Sequence, residues 1–440
     1  MSDTFCPIPW NFQAIQNNGA IRVCCQMNST PCRGTLKKPD GTPYNAGVDN
    51  LDDARNADLI KSVRKKMIDG KWPVECSRCM QEETNGLRSR RIYENESWKF
   101  SIDDAKKMTF DDGSITTAEN PVVYYDLRFG NVCNLACTMC GPEDSHTWYK
   151  DWTKMYGSEW QDTHGKVVLT KNDKGRWVTD AYDWHYSESF WNQIEGKMSH
   201  IQKIYFAGGE PMMIERHYEF LQKCIDCGVS NNIVIEYNTN ITNLPNKAIE
   251  MWKHFKQVRV GASVDGYGDV LEYQRYPAKW KSIEANLQKL DKLPDNVISW
   301  VACTVTSVNV FHIPHFMLWK LEQDYKKINI YNNVETILTH HVCHKPWYSS
   351  IRVLPRDIKN KIVESYSNSK KEFEKFDVHV QLRANKILDG ITKYMLAKDE
   401  SDKLDNFLEY TTKLDVIRSQ NIVNIVPEYK EIIDEYNIRK

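Results

Sequence analysis

Asn131-Val-Cys-Asn-Leu-Ala-Cys-Thr-Met-Cys140 carries three cysteines, Cys133, Cys137 and Cys140, in the spacing CxxxCxxC. The apolar, strand-like run 122–127 comes directly before it. Three thiolates can ligate three irons of a four-iron cubane, and one iron is then left without a protein ligand. An iron with an open position can bind and reduce a small molecule. His146, six residues on, offers a second reading, in which three thiolates and an imidazole close a zinc site. The iron reading makes the chain a redox enzyme.

Outward from this stretch, apolar and β-branched runs recur at 122–127, 204–207, 233–237, 258–264, 297–305 and, less clearly, 328–338. Helical patterns at 213–227, 245–255 and 280–290 lie between them. Strands alternating with helices predict βαβ units and a parallel sheet. Six such units make an α/β fold of the partial-barrel kind, open rather than closed at eight. In barrels of this build the site gathers at the C-terminal strand ends. CxxxCxxC falls there, after the first strand. The polar, glycine-containing segment 162–183 reads as an insertion or long loop in the first crossover. From about Pro355 the chain reads as helical, with Leu404, Phe407, Leu408, Thr411, Leu414 and Ile417 at helical spacing. There is no internal repeat and no low-complexity tract.

The 440 residues allow two or three domains. Hydrophobic residues at 41% and charged residues at 27% fit a globular protein with a real core. Lys and Arg total 58 against 59 Asp and Glu, so the formal net charge is -1 and no electrostatic footprint for nucleic acid is present. No apolar stretch approaches the roughly 20 residues of a membrane span. The first residues lack the basic and apolar regions of an export signal, so a cytoplasmic location is expected. There, 13 cysteines read as metal ligands, catalytic groups or buried thiols rather than disulfides.

Two further segments fall at strand ends. In Phe206-Ala-Gly-Gly-Glu-Pro-Met212, two glycines let backbone approach a ligand, and a carboxylate can accept strong bonds from an ammonium group. By itself this sequence is also an ordinary turn. Gly261-Ala-Ser-Val-Asp-Gly-Tyr267 ends a later strand, with Arg275 beyond it, and Asn238 and Asn240 end the strand between. Each of these polar residues has an alternative role in capping or turn formation.

The segment Leu127-Arg-Phe-Gly-Asn-Val-Cys-Asn-Leu-Ala-Cys-Thr-Met-Cys140 resembles the cluster loop of the radical S-adenosylmethionine superfamily. Met139 departs from the pattern, since an aromatic is more usual there. The resemblance implies a [4Fe-4S] cluster on Cys133, Cys137 and Cys140, with S-adenosylmethionine chelating the open iron. Gly208, Gly209, Glu210 and Pro211 match the GGEP motif, which cradles the cofactor's amino group. Ser263 and Asp265 match the S-x-D-G strand end. With Asn240 and Arg275 they are the implied cofactor contacts: Ser263 on ribose or carboxylate, Arg275 on the carboxylate in bidentate fashion. The implied activity is reductive cleavage of the cofactor to a 5′-deoxyadenosyl radical, followed by hydrogen-atom abstraction from a substrate. An external electron donor such as flavodoxin or ferredoxin is implied too.

Six more cysteines crowd the first 80 residues: Cys6, Cys24, Cys25, Cys32, Cys76 and Cys79. The spacing Cys6, Gly19, Cys24, with Pro9-Trp10 after the first cysteine, resembles the opening of SPASM and twitch domains, which carry auxiliary iron–sulfur clusters. Cys6, Cys24, Cys76 and Cys79 would ligate one second [4Fe-4S] cluster. Cys25 or Cys32 can replace one of the four, and a Cys₄ set also suits zinc. In familiar members this module follows the barrel, whereas here it precedes it. Members with such modules often modify peptides or proteins, so a peptide or protein is the first expected substrate. A sugar or alcohol dehydrogenase is the second reading, and a non-catalytic iron–sulfur or zinc scaffold the third.

Cys224 and Cys227, three apart on a predicted helix, read as core thiols. Thr339-His-His-Val-Cys-His-Lys-Pro346 is dense in ligand types, but so many neighbours rarely close round one ion. Cys343 within it is the candidate catalytic residue, a hydrogen-atom donor. The expected organisation is a Cys-rich twitch-like module over 1–115, a partial (β/α)6 barrel over 116–345 and a helical region over 346–440.

Overall fold

The computed structural model describes residues 4–27, 33–84, 88–323, 325–328, 330–331 and 334–439. Eight strands form one mostly parallel sheet: β1 (Phe12–Ile15), β2 (Ile21–Arg22), β3 (Tyr124–Arg128), β4 (Lys203–Ala207), β5 (Val234–Thr239), β6 (Gln257–Ser263), β7 (Val297–Val305) and β8 (Thr339–Val342). The α/β class read from the sequence is therefore present. Five strands sit within two residues of their expected bounds. The sixth does not: residues 330–331 and 334–335 pair with each other as a separate two-stranded piece, and the sheet strand starts only at Thr339.

The residues group into two compact units, and each is described by itself. The first holds 1–132, 159–237 and 254–257. Within it β1 pairs antiparallel with β2 and parallel with β3, in the register Ala14 to Asp126, and β3 pairs parallel with β4. The Cys-rich segment thus supplies two strands to the sheet that no alternating pattern announced. Helix Asp58–Ile68 buries Ile60, Val63, Arg64 and Met67, one stripe at helical spacing. The Arg64 guanidinium donates to Pro9 O at 3.0 and 2.8 Å, and Arg55 donates to Trp10 O at 2.7 Å. These buried cations tie down the backbone that follows Cys6. The segment 162–183 is not one long loop. Hairpins Glu159–Asp162 with Gly165–Val168, and Thr170–Lys171 with Trp177–Val178, occupy most of it.

The second unit holds 133–158, 238–253 and 258–440. In it β6, β7 and β8 are parallel neighbours, with Ala262 beside Val301 and Cys303 beside His340. Helix Trp280–Leu290 forms over the predicted residues and buries Ile283, Leu287 and Leu290. Beyond Pro355 the chain is helical as read, in Arg356–Lys370, Val378–Leu396, Leu404–Arg418, Ile422–Ile425 and Lys430–Arg439. Among the described residues no helix is long and apolar enough to cross a membrane.

Candidate functional site

The CxxxCxxC loop is held by its backbone. Ala136 N donates to Tyr276 O at 2.6 Å and Thr138 N to Gln274 O at 2.8 Å. Trp148 Nε1 donates to Cys137 O at 3.0 Å, and Thr147 Oγ1 to Cys133 O at 2.5 Å. His146 Nδ1 accepts the Cys133 amide at 3.1 Å, so this histidine spends a ring nitrogen on the loop rather than standing ready as a zinc ligand. Bonding the amides and carbonyls to the scaffold fixes the loop while leaving the thiols to other chemistry.

Cys133 and Cys137 are buried and Cys140 is half-buried. The Cys140 thiol donates to Cys137, and with the Arg275 charge this draws the Cys137 thiol below its usual range despite burial. Cys140 is pushed up by that bond, by burial and by the nearness of Cys137 and Cys133. The three sulfurs therefore lie within electrostatic reach of one another. Two predicted cofactor residues meet them. Asn240 Nδ2 lies 3.7 Å from Cys133 Sγ, and Arg275 Nη1 lies 4.0 Å from Cys137 Sγ. Asn240 also donates to Asn134 Oδ1 at 3.0 Å.

Arg275 has a carboxylate of its own: Asp265 Oδ2 sits 2.7 Å from its Nε, and both are buried. Asp265 also accepts the Thr304 amide at 2.7 Å. The expectation that Arg275 waits for an external carboxylate thus meets an internal one already in place. Ser263 closes β6 and is half-buried.

In the first unit the glycine-rich turn follows β4. Gly208 has φ +104°, and a Cβ on Gly209 would lie 2.3 Å from Val132 O. Glu210 N donates to Val132 O at 2.7 Å, and the buried Glu210 carboxylate accepts from Met212 N at 3.2 Å. The close approach that needs glycine is to the chain's own residues 130–132. Pro211 opens the short turn Pro211–Met213.

Also in the first unit, Cys6, Cys24, Cys76 and Cys79 line one small cavity of about 30 Å³ together with Trp72, Arg90 and Arg91. Burial raises the Cys6 thiol far above its usual range and Cys76 to about 12, and neighbouring thiols add to both. Cys25 is held differently. Arg90 Nη1 donates to its sulfur, and the bond from Cys24 with the Arg90 charge lowers its thiol to about 6. Cys32 lies outside the described residues. Among the described residues no three His, Cys, Asp or Glu side chains stand close enough together to hold one ion.

Cys343 is buried just past β8, and its thiol donates to Lys345 O at 3.1 Å. Burial raises it to about 12, so it stays a thiol at neutral pH. Cys224 is fully buried and raised to about 12 by burial, a core thiol as read, while Cys227 is exposed at the helix end. Sequence reasoning missed the second layer on the loop: Trp148, Tyr410 and Arg418. Tyr410 Oη donates to Thr138 O at 2.8 Å. No motif spacing flags a helix whose Tyr410 lies 272 residues downstream of the loop residue it bonds.

No protein-family model matches the chain, and no curated protein sequence is similar to it. Among solved structures it is similar to SuiB of Streptococcus suis. With SuiB bound to the precursor peptide SuiA the identity is 11%, the TM-score 0.35, and the coverage 72% of this chain and 64% of that one. With SuiB bound to S-adenosylmethionine the identity is 11%, the TM-score 0.30, and the coverage again 72% and 64%. The chain spans about 64% of the length of the SuiB chain it matches. At these values the likeness carries no functional weight, which rests on the residues.

Proposed function

We propose that this is a radical S-adenosylmethionine enzyme. In this reading Cys133, Cys137 and Cys140 hold a [4Fe-4S] cluster at the strand ends of a partial (β/α)6 barrel over 116–345. Cys6, Cys24, Cys76 and Cys79 hold an auxiliary cluster in a twitch-like module over 1–115, and residues 346–440 form a helical region. One observation carries the reading: residues singled out as cofactor contacts touch the thiols singled out as cluster ligands. Asn240 meets Cys133, and Arg275 meets Cys137.

The donor set fits the group. Three thiols lie within electrostatic reach, one of them is biased towards thiolate, and a guanidinium beside them can offset the negative charge of ligated sulfurs. When bound, the cluster and S-adenosylmethionine supply a carbon radical that takes a hydrogen atom from an unactivated C–H bond. The chain's own groups position and shield. Gly208 and Gly209 bring backbone close at the end of β4. Glu210 and Pro211 present a carboxylate in a rigid turn to the cofactor's ammonium. Ser263, Asn240 and the Asp265–Arg275 pair present polar groups to its ribose and carboxylate. Cys343, protonated and buried, donates a hydrogen atom to the substrate radical; a Cys343→Ser variant with wild-type product yield removes it from that role.

The substrate class is a peptide or protein side chain or backbone, and a one-electron donor of the flavodoxin or ferredoxin kind supplies the electron in the cytoplasm. The test is spectroscopic. Protein reconstituted anaerobically with iron and sulfide and then reduced gives a paramagnetic resonance signal, which changes shape when S-adenosylmethionine is added. A signal indifferent to the cofactor overturns the assignment.

A further inference from the structure

We propose that Arg418, at the end of the Leu404–Arg418 helix, is a positioning residue for the CxxxCxxC loop that also makes the cluster held there easier to reduce. The inference rests on the reading that the three thiolates hold a cluster.

The C-terminal helix lies on the loop. Ala136 of the loop packs with Trp148, Tyr410 and Leu414 in one buried cluster, and Cys140 packs against it. Tyr410 donates to Thr138 O at 2.8 Å, between the second and third cysteines. Tyr273, one residue before the Gln274 carbonyl that accepts the Thr138 amide, donates to Asp415 of the same helix at 2.9 Å.

Arg418 completes the clamp and brings a charge. Its side chain is 1% exposed, and Nε donates to Asp151 Oδ2 at 2.8 Å. Its guanidinium lies over the rings of Trp148 and Tyr276, each at 4.7 Å. Both rings belong to residues that bond the loop: Trp148 donates to Cys137 O, and Tyr276 O accepts Ala136 N. The guanidinium therefore lies over two of the residues that fix the backbone around Cys137. Among the described residues its Nη1 and Nη2 are buried and make no hydrogen bond.

A buried cation is expensive to keep, and packing alone would be met by a methionine or leucine of similar volume. A positive charge stacked against the residues that hold the loop favours the extra negative charge that a cluster there would gain on reduction, and nearby charge is one of the levers that set cluster potentials. Arg275, the other guanidinium near Cys137, pairs with Asp265 through Nε at 2.7 Å, as Arg418 pairs with Asp151 at 2.8 Å. The two differ at the other nitrogens: Arg275 Nη1 lies 4.0 Å from Cys137 Sγ, whereas among the described residues both Nη groups of Arg418 are buried without a hydrogen bond.

The test is a redox titration of full-length, iron-loaded protein, following the resonance signal that a Cys137→Ala variant lacks. Arg418→Gln is expected to move the midpoint to more negative potential at unchanged iron content. Arg418→Lys, which keeps the charge, is expected to restore it towards wild type. Asp151→Asn, which frees the cation, is expected to move it the opposite way. A purely structural clamp would move the Gln and Asn variants in the same direction or neither, and that result overturns the proposal. Where Arg418→Gln fails to load iron, Lys and Asn decide: wild-type-like loading and potential in Lys with a positive shift in Asn sustain it, and loss of iron in Lys overturns it. Wild-type protein with no signal that Cys137→Ala removes sinks the functional reading itself, and this inference with it.

Discussion

Gly209 has no room for a side chain, because a Cβ there would stand 2.3 Å from Val132 O and 2.7 Å from its carbonyl carbon. The contact is with backbone, which cannot swing aside. Gly209→Ala is therefore expected to destabilise the fold by about 1–3 kcal/mol, the usual cost of overpacking, and a urea titration of both proteins reads the difference. An unchanged midpoint would mean that the turn yields freely. At this scale the sequence was legible in residue identity and not in residue partner. The two glycines stood out by type, yet only the structure shows that they accommodate residues 130–132. Arg275 and Asp265 were each singled out, but their 2.7 Å pairing was not. Ten residues separate them in the chain, and no periodicity links a strand end to the end of the following helix.

Elements were legible wherever one apolar run made one element. Strand β7 and helix Trp280–Leu290 sit on their expected residues. Strands β1 and β2, four and two residues long, were not foreseen, since burial on both faces erases alternation and so short a run has no period to read. The two hairpins within 159–178 were hidden by their polarity. The turn after β6 shows how elements lock together. A Cβ on Gly266 would lie 2.9 Å from the His312 ring, and His312 Nε2 accepts the Tyr267 amide at 3.2 Å just before helix Ile313–Glu322. Burial, and then His315, lowers His312 to about 4. An unfolded histidine takes its proton near pH 6.5. As pH falls from about 6.5 towards 4, the unfolded chain binds a proton that the folded chain refuses, so stability falls through that window. His312→Asn is expected to flatten this slope in denaturation midpoints measured between pH 7 and 5. An unaltered slope would place the proton uptake elsewhere.

For the whole molecule, the eight-stranded sheet bears out an α/β chain. Two thiol sets make a stoichiometric prediction. Fully reconstituted protein should carry about eight irons, two cubanes of four each, and a Cys76→Ala, Cys79→Ala variant about four. Iron and sulfide analysis checks this, and about four irons in the wild type would leave the cavity lined by Cys6, Cys24, Cys76 and Cys79 without a cluster. The contribution of the C-terminal helix was illegible for a physical reason: Arg418 and Tyr410 act on a loop some 270 residues away, through contacts that only the folded chain creates. The central claim is that the loop at 133–140 cleaves S-adenosylmethionine. The direct measurement is chromatographic detection of 5′-deoxyadenosine after reduced, iron-loaded protein is mixed with the cofactor. Release by wild type and none by Cys137→Ala is the predicted result; no release from fully loaded wild type, or equal release from both, contradicts it.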